Sequence, residues 1–214
     1  MALEQIDIDA LDPGRTIVVA TGNAHKLTEI EAILSKALPD VRFVALKQLG
    51  EFEDPEENGT TFLQNAIIKA EAAVAATGFA AIADDSGLVV DALDGEPGVH
   101  SARYAGVHGD DAANNQKLLD NLADVEDADR TARFMSVVAL IDPDGMVLTG
   151  TGSCEGTIGH ELRGTNGFGY DPLFWPCDTP GRTMAELTPD EKNAISHRFH
   201  ALEDLSAQLS GADE

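Results

Sequence analysis

The stretch Ala81-Ile82-Ala83-Asp84-Asp85-Ser86-Gly87-Leu88-Val89-Val90 places two adjacent carboxylates between two apolar runs. Apolar runs on either side of a glycine predict a buried strand, a turn and a second buried strand. The pattern therefore predicts that Asp84 and Asp85 lie at a strand end inside the protein. Because buried charges need partners, and a metal ion is a common one, the pair is a candidate functional site. A structural turn in which an aspartate caps Gly87 is the alternative.

Composition limits the class of partner. The chain has 214 residues, with 38 acidic and 14 basic side chains and a formal net charge of −24. This charge disfavours duplex nucleic acid and anionic membranes, whereas a small anionic substrate can bind where a few bases gather. Only two cysteines occur, and no apolar run of membrane-spanning length or signal pattern is present. The composition thus predicts a cytoplasmic protein in a reduced compartment.

The segments around residues 81–90 predict an α/β fold with a partly parallel sheet. Residues 1–15 are predicted to be a mobile extension and 16–210 a single domain. A strand over 16–21, a helix ending before Pro39 and a strand over 41–46 form the first unit. The remaining predicted elements are a helix between Thr60 or Thr61 and Gly78, a helix over 110–122, a hairpin of 133–141 and 146–151, further strands over 153–158 and 173–175, and a helix capped by Thr188.

Residues Thr21 to Lys26 join the first strand to the first helix and have the features of a phosphate site. Gly22 lets the backbone approach a ligand, the free amides of the helix N-terminus favour an anion, and Lys26 adds a positive charge. The Walker spacing is absent. An ordinary strand–helix turn is an equally good interpretation of this segment alone.

Four carboxylates suggest a hard cation. Glu56-Glu57 lie in a loop and Asp84-Asp85 follow an apolar run. Mg²⁺ binds one or two carboxylates together with substrate phosphates and water, so this set suits it. For Glu56-Glu57 a solvated acidic loop is the favoured alternative.

Two later segments suit the base of a nucleotide. Gly167-Phe168-Gly169-Tyr170-Asp171-Pro172 combines flexible backbone with two rings that can stack on a flat heterocycle, or pack on the core instead. Lys192, His197 and Arg198 do not share one face of an uninterrupted helix. A break at Ser196 would place His197 and Arg198 in a first helical turn, where they could meet a phosphate or a base oxygen. A solvated basic pair is the alternative.

In this order and spacing, the segments resemble the inosine/xanthosine triphosphate pyrophosphatases, which are house-cleaning nucleotide diphosphatases. The resemblance extends over about residues 16–206, and the departures are the N-terminal extension, His25, Asn166 and the acidity. The matching blocks are Thr21-Gly22-Asn23…Lys26…Glu29, Glu56-Glu57-Asn58-Gly59-Thr60-Thr61-Phe62…Asn65-Ala66…Lys69-Ala70, Ala83-Asp84-Asp85-Ser86-Gly87-Leu88, Pro97-Gly98…Ser101-Ala102-Arg103-Tyr104-Ala105-Gly106, Gly167-Phe168-Gly169-Tyr170-Asp171-Pro172 and Ala185-Glu186-Leu187…Glu191-Lys192…Ile195-Ser196-His197-Arg198.

The resemblance implies an elongated α/β fold of two lobes around a long mixed β-sheet, with the nucleotide in the cleft between the lobes. It also implies a homodimer and the Mg²⁺-dependent hydrolysis of ITP, dITP and XTP to the monophosphate and pyrophosphate. Such an activity removes abnormal purine nucleotides from the nucleotide pool. The alternatives are a nucleotide-binding module without catalysis and a diphosphatase with another base preference.

The resemblance also implies residue roles. Asp85 is the proton acceptor for the attacking water and, with Glu56, a ligand of Mg²⁺, while Lys26 neutralises charge on the leaving pyrophosphate. The expected substrate contacts are Thr21, Gly22, Asn23, Ala24, His25 and Lys26 around the triphosphate, Ser86, and Phe168, Gly169, Tyr170, Asp171, Lys192, His197 and Arg198 on the base and sugar side.

Two assignments are open at this point. Asp84 is expected to raise the pKa of Asp85 and a metal to lower it, but the division of roles among the four acids is undecided. His197 and Arg198 are candidate donors to the 6-oxo group of hypoxanthine or xanthine. Such donors would be left unpaired by adenine, which carries an amino group there.

Overall fold

The computed structural model of the chain describes residues 4–21 and 24–211, and for residues 24 and 25 it describes the backbone alone. Its sheet has six strands in the order β2-β1-β3-β4-β5-β6. The strand β1 pairs in parallel with both β2 and β3, whereas β5 and β6 pair antiparallel. The predicted mixed α/β architecture is therefore confirmed. The strands are β1 (Thr16–Val19), β2 (Arg42–Ala45), β3 (Ala80–Val90), β4 (Thr131–Ile141), β5 (Val147–Ile158) and β6 (Phe174–Pro176).

The helix ends follow capping signals in the sequence. The side chain of Thr61 accepts a hydrogen bond from the Gln64 N–H at the start of α3, and Gly78 ends the helix with φ of 74°. Asp110 caps α4 in the same way through the Ala113 N–H. None of the described helices is both long and apolar enough to cross a membrane. The helices are α1 (Ala24–Leu34), α2 (Leu46–Leu49), α3 (Phe62–Thr77), α4 (Asp111–Asn121), α5 (Pro189–Ile195) and α6 (His197–Gly211).

The predicted turn at Ser86-Gly87 is wrong, because β3 runs without a break from Ala80 to Val90. Glycine adopts extended backbone as readily as turn conformations, and here the flanking apolar residues lie in one buried strand. Asp84 and Asp85 consequently lie inside a strand rather than at its end.

The hairpin prediction is confirmed at its turn and corrected in its length. The Asp142 N–H donates to the Met146 carbonyl at 3.1 Å, and the Gly145 N–H donates to the Asp142 carbonyl at 3.1 Å. The predicted separate strand over 153–158 is the continuation of β5. A long strand with alternating buried and exposed residues can carry several glycines when its neighbours pack closely over them.

The chain divides into two compact units, each with its own buried cluster. Unit 1 comprises Met1–Asp85, Val137–Gly152 and Ala201–Glu214, and unit 2 comprises Ser86–Ser136 and Ser153–His200. In unit 1, Val18, Val44 and Phe79 pack with residues that include Ile6, Ile8 and Leu11 of the N-terminal segment. The mobility predicted for residues 1–15 and the grouping of 16–210 as one domain stay predictions. The cluster of unit 2 contains Leu88, Val90, Tyr104, Leu118, Leu122, Ala132, Phe134, Cys154, Ile158, Tyr170, Leu173, Phe174, Met184 and Leu187.

Candidate active site

The adjacent acids of β3 have different partners, since consecutive strand residues point to opposite faces of a sheet. The side chain of Asp84 is 4% exposed and pairs with Lys26. The Lys26 Nζ donates to Oδ1 at 2.9 Å and to Oδ2 at 3.0 Å. Lys26 lies in the first turn of α1, directly after β1. The parallel pairing of β1 with β3 thus lets a buried carboxylate orient the lysine that the sequence assigns to the phosphates.

Asp85 is held by two side chains of α3. The Lys69 Nζ donates to Oδ1 at 2.8 Å, and the Asn65 Nδ2 donates to Oδ2 at 3.2 Å. Asn65 and Lys69 are four residues apart, so they lie on one face of the helix. Asn65 is 0% exposed, so its amide is a fixed part of the protein interior. Both Asp85 oxygens therefore have a donor, which orients the carboxylate.

The acidic loop 56–59 is attached to the same helix. Lys69 Nζ lies 3.6 Å from Glu57 Oε1, and Asn65 Oδ1 accepts a hydrogen bond from the Gly59 N–H at 2.9 Å. A Cβ at Gly59 would lie 2.5 Å from that amide oxygen, so only glycine allows this approach. The side chain of Glu56, the acid assigned to the metal, is exposed and makes no hydrogen bond or ion pair with a described residue.

The pKa of Asp85 is raised above its ordinary value, chiefly because burial penalises the charged form. The charge and hydrogen bond of Lys69 and the hydrogen bond of Asn65 lower this pKa, and the charge of Glu57 raises it. The charge named as raising this pKa is that of Glu57, and a contribution of Asp84 stays a prediction. Asp84 is on the opposite face of β3 and its carboxylate is paired with Lys26.

The carboxylate oxygens of Asp85 and of its neighbour Glu57 are of the type that binds a hard cation. Among residues 4–21 and 24–211, no group of three or more His, Cys, Asp or Glu side chains could hold a metal ion. Two carboxylates, those of Asp85 and Glu57, do surround one cationic group, the Lys69 ammonium. A magnesium ion that takes one or two carboxylates and completes its shell with phosphate and water suits these residues. A site made of protein ligands alone does not.

Unit 2 contains the aromatic loop, residues 167–172, and presents Phe168 from it. Phe168 is 66% exposed, and Lys192 Nζ lies 4.5 Å from the centroid of its ring. The Asp171 carboxylate accepts hydrogen bonds from Lys192 and from the Phe168 N–H. Tyr170 is buried, and its hydroxyl donates to the Ser101 carbonyl at 2.9 Å. Of the two rings predicted to stack on a base, Phe168 is therefore available to do so and Tyr170 anchors the loop.

The break predicted at Ser196 is confirmed. Its backbone is extended, with φ of −72° and ψ of 146°, and α6 begins at His197. The Ser196 Oγ accepts a hydrogen bond from the Phe199 N–H at 3.1 Å, which caps the new helix. The His197 ring stacks on Phe134, with 5.2 Å between centroids and 19° between planes. His197 and Arg198 are thus in the first turn of α6.

The other predicted contact residues have simple placements. Thr21 follows β1, is partly buried, and donates its N–H to the Val19 carbonyl at 2.8 Å. Ser86 is a partly buried residue of β3. Gly22 and Asn23 lie outside the described residues, and Ala24 and His25 are placed by their backbone in α1.

Lys69 and Asn65 are the residues whose role sequence reasoning missed. Both belong to a matching block, yet neither was assigned a function. A signal was present in the sequence. Asn65 and Lys69 are four residues apart, and each directly precedes one of the small residues Ala66 and Ala70, which α3 buries together with Ala73. A buried polar residue on an apolar helix face requires a partner, and here that partner is Asp85.

Comparisons with known proteins identify the family of the chain. A family model described as the Ham1 family matches residues 17–208. The chain is 48% identical over 194 residues to the dITP/XTP pyrophosphatase of Listeria monocytogenes serotype 4b, covering 91% of this chain and 94% of that protein. It is 50% identical over 194 residues to the dITP/XTP pyrophosphatase of Exiguobacterium sibiricum, covering 91% and 96%.

Solved structures give the same likeness. The Ham1 protein of Staphylococcus aureus is 42% identical, with a TM-score of 0.84 over 92% of this chain and 100% of that one. A Ham1 protein of Coxiella burnetii is 46% identical, with a TM-score of 0.84 over 92% and 99%. At these identities the likeness extends to sequence as well as to fold.

Proposed function

Since the chain belongs to the Ham1 family, we propose that it is a nucleoside-triphosphate diphosphatase that hydrolyses ITP, dITP and XTP to the monophosphate and pyrophosphate. The observation that carries this proposal is the pair of lysine–carboxylate contacts on β3, Lys26 with Asp84 and Lys69 with Asp85. The names of the curated relatives support the substrate class, because those proteins are dITP/XTP pyrophosphatases.

In the proposed reaction, Asp85 accepts the proton of the water that attacks the α-phosphorus. A carboxylate whose pKa is raised by burial is a better base than an ordinary one, and its two donors hold it in a single orientation. Lys26 faces the negative charge that develops on the leaving pyrophosphate, and Asp84 orients it. The residues from Thr21 to Lys26 cradle the triphosphate.

Magnesium is the proposed cofactor, and when bound it neutralises phosphate charge and orients the triphosphate. The residues proposed to hold it are Asp85 and the acidic pair Glu56-Glu57. Of that pair, Glu57 lies beside Lys69 and Glu56 is exposed. The chain's own contribution is to fix the Asp85 carboxylate and to supply lysines for the phosphates.

The base is proposed to contact the aromatic loop and the start of α6. Phe168 provides an exposed ring, and Gly169, Tyr170, Asp171 and Lys192 form the loop and its ion pair. His197 and Arg198 donate to the 6-oxo group of hypoxanthine or xanthine. Adenine would leave these donors unpaired, and a mismatch of this kind discriminates strongly.

A panel of nucleoside triphosphates tests the proposal. Purified protein with Mg²⁺ is incubated with ITP, dITP, XTP, ATP, GTP, dTTP and dUTP, and both the pyrophosphate and the monophosphate are measured. We expect kcat/KM for the first three to exceed that for ATP by at least about 100-fold. If a pyrimidine nucleotide has the highest kcat/KM, the proposed substrate class is wrong. Binding of ITP without release of pyrophosphate would identify a nucleotide-binding module without catalysis.

Assembly as a homodimer and a cytoplasmic location are proposed with the function. Light scattering after size-exclusion chromatography checks the first, and a mass of twice 22.6 kDa is expected. A mass equal to that of the monomer at the concentration of the activity assay would contradict the proposed homodimer.

A further inference from the structure

Two side chains of helix α4 hydrogen-bond to the backbone of Gly169 in the aromatic loop. The Gly169 N–H donates to the Asp111 Oδ2 at 2.7 Å, and the Gly169 carbonyl accepts from the Asn115 Nδ2 at 2.8 Å. These two groups belong to the two peptide units that flank Gly169. Asp111 and Asn115 are one helical turn apart, so one helix face holds both units.

Asn115 is an unfavourable choice of residue for stability alone. It is 5% exposed, and its Oδ1 has no hydrogen-bond partner among the described residues. Its neighbour Asn114 differs, because the Oδ1 of Asn114 accepts from the Ala105 N–H at 2.7 Å. A buried amide with an unpaired oxygen destabilises a fold relative to an apolar side chain of similar size. What Asn115 does provide is its Nδ2, which donates to Gly169 and to the Asp111 carbonyl at 2.8 Å.

Gly169 is a residue of the loop whose backbone conformation no side chain restricts. Its φ is 59°, in the left-handed region that glycine adopts without strain. It directly follows Phe168, whose ring is exposed, and precedes Tyr170, whose ring is anchored in the core. Fixing both peptide units of Gly169 therefore fixes the direction in which Phe168 leaves the loop.

We propose that Asp111 and Asn115 are positioning residues that hold Gly169 and thereby orient Phe168 for the nucleotide base. The inference rests on the proposed function, because it assigns Phe168 to the base. The two residues do not act on the reacting phosphate. Their loss is expected to weaken recognition of the base and to leave the chemical step nearly unchanged.

The variants separate the hydrogen bonds from folding. Asp111→Ala removes an exposed acceptor, and Asp111→Asn keeps an oxygen in the same position without the charge. Asn115→Leu removes the donor and fills the site with an apolar side chain of similar size. Gln116→Ala is the matched control, since Gln116 is an exposed residue of α4 that bonds to Asp120.

Each variant is measured with ITP for kcat and KM, and by titration calorimetry with IMP and with inorganic tripolyphosphate. Asp111→Ala and Asn115→Leu should raise KM and the Kd for IMP about tenfold, with kcat within about threefold of wild type. The Kd for tripolyphosphate should stay within about twofold. Asp111→Asn should restore most of the affinity, and Gln116→Ala should behave as wild type.

Two results would overturn the inference. One is wild-type KM and IMP affinity in both Asp111→Ala and Asn115→Leu. The other is a lower Tm in both variants with unchanged KM, which would make the contacts structural only. Failure of the proposed function is separate, because it would appear in the wild-type protein as absence of ITP hydrolysis before any variant is compared.

Discussion

At the scale of single residues, two adjacent carboxylates take different roles because a strand alternates its side chains. Asp84 lies on the face of β3 that meets Lys26, and Asp85 lies on the face that meets Lys69 and Asn65. Each charge is paired in a partly buried position, where loss of one partner leaves the other uncompensated. Removing either lysine should therefore leave its carboxylate without its charged partner.

Gly167 is a residue at which any side chain disturbs the base side of the proposed site. Its φ is 76°, and a Cβ would lie 2.0 Å from Asp171 Oδ2 and 3.2 Å from Lys192 Nζ. We predict that Gly167→Ala separates the Asp171–Lys192 pair, lowers the free energy of unfolding by about 1–3 kcal/mol and raises KM for ITP. Chemical denaturation and steady-state kinetics measure the two effects.

The matched control for this change is Gly181→Ala. Gly181 also has a positive φ, of 88°, but a Cβ there meets no atom within 4 Å. It should show the backbone strain without the rise in KM. Equal KM values for Gly167→Ala and the wild type would show that the Asp171–Lys192 pair does not contribute to substrate binding.

At the scale of elements, α5 begins with a capping box that contains an unusually acidic carboxyl. The Thr188 N–H donates to Glu191 Oε2 at 2.9 Å, and the Thr188 Oγ1 accepts from the Glu191 N–H at 3.3 Å. Hydrogen bonds from Arg182, followed by those from Thr188, lower the pKa of Glu191 to about 2. Lys192 directly follows Glu191, so the position of Lys192 depends on the formation of this capping box.

Glu191→Gln tests the cap through its dependence on pH. Because the pKa falls from 4.5 to about 2 on folding, the ionised carboxyl stabilises the protein fully above pH 4.5, and this stabilisation is lost as the pH falls towards 2. We predict that Glu191→Gln is less stable than wild type at pH 7 and that the two converge on acidification. Urea denaturation from pH 7 to about pH 3 measures this difference.

Glu203→Gln, at an exposed position of α6, controls for the loss of one negative charge. A difference between Glu191→Gln and wild type that stays constant down to pH 3 would contradict the role of the ionised carboxyl.

Local signals predicted several elements because their physics is local. Helix α3 begins after Thr61 and ends before Gly78, through hydrogen bonds and backbone geometry that depend on a few neighbouring residues. Ser196 separates α5 from α6 in the same way. Gly87 misled the prediction, because a glycine in a buried strand and a glycine in a turn look alike in sequence. The difference depends on which strands flank β3.

The candidate site required tertiary information for its partners. The sequence contains the acids and Lys26, and resemblance assigned their roles. It does not reveal that Lys69 reaches both Asp85 and Glu57, or that Asn65 joins Asp85 to Gly59. Those contacts depend on the packing of α3 beside β3. Similarly, the hydrogen bonds of Asp111 and Asn115 in α4 to Gly169 join residues that are 54 or more positions apart in the chain.

At the scale of the whole molecule, the predicted family is confirmed over residues 17–208, and the mixed sheet is confirmed with it. The family was predicted from six sequence blocks in a fixed order. The six blocks together are far more specific to one family than any single block is. Bulk composition supplied only exclusions, since a charge of −24 disfavours polyanions and says nothing about a local phosphate site.

The net charge itself leads to a prediction about stability. A chain with 38 acids and 14 bases repels itself in the compact state, and salt screens that repulsion. We predict that Tm rises by several degrees when NaCl is increased from about 0.02 M to about 0.5 M. Differential scanning calorimetry measures Tm, and KCl at equal ionic strength is the control. A falling Tm would mean that surface ion pairs outweigh the repulsion.

Release of pyrophosphate from ITP by Asp85→Asn is the measurement that tests the central claim most directly. The substitution keeps the size of the side chain and removes its ability to accept a proton. We predict that the wild type releases pyrophosphate with Mg²⁺ and that the variant loses about 100-fold or more of kcat while circular dichroism and Tm show a folded protein. Asp124→Asn, at an exposed position, should keep full activity. Turnover by Asp85→Asn within about twofold of wild type would contradict the assignment of Asp85 as the proton acceptor.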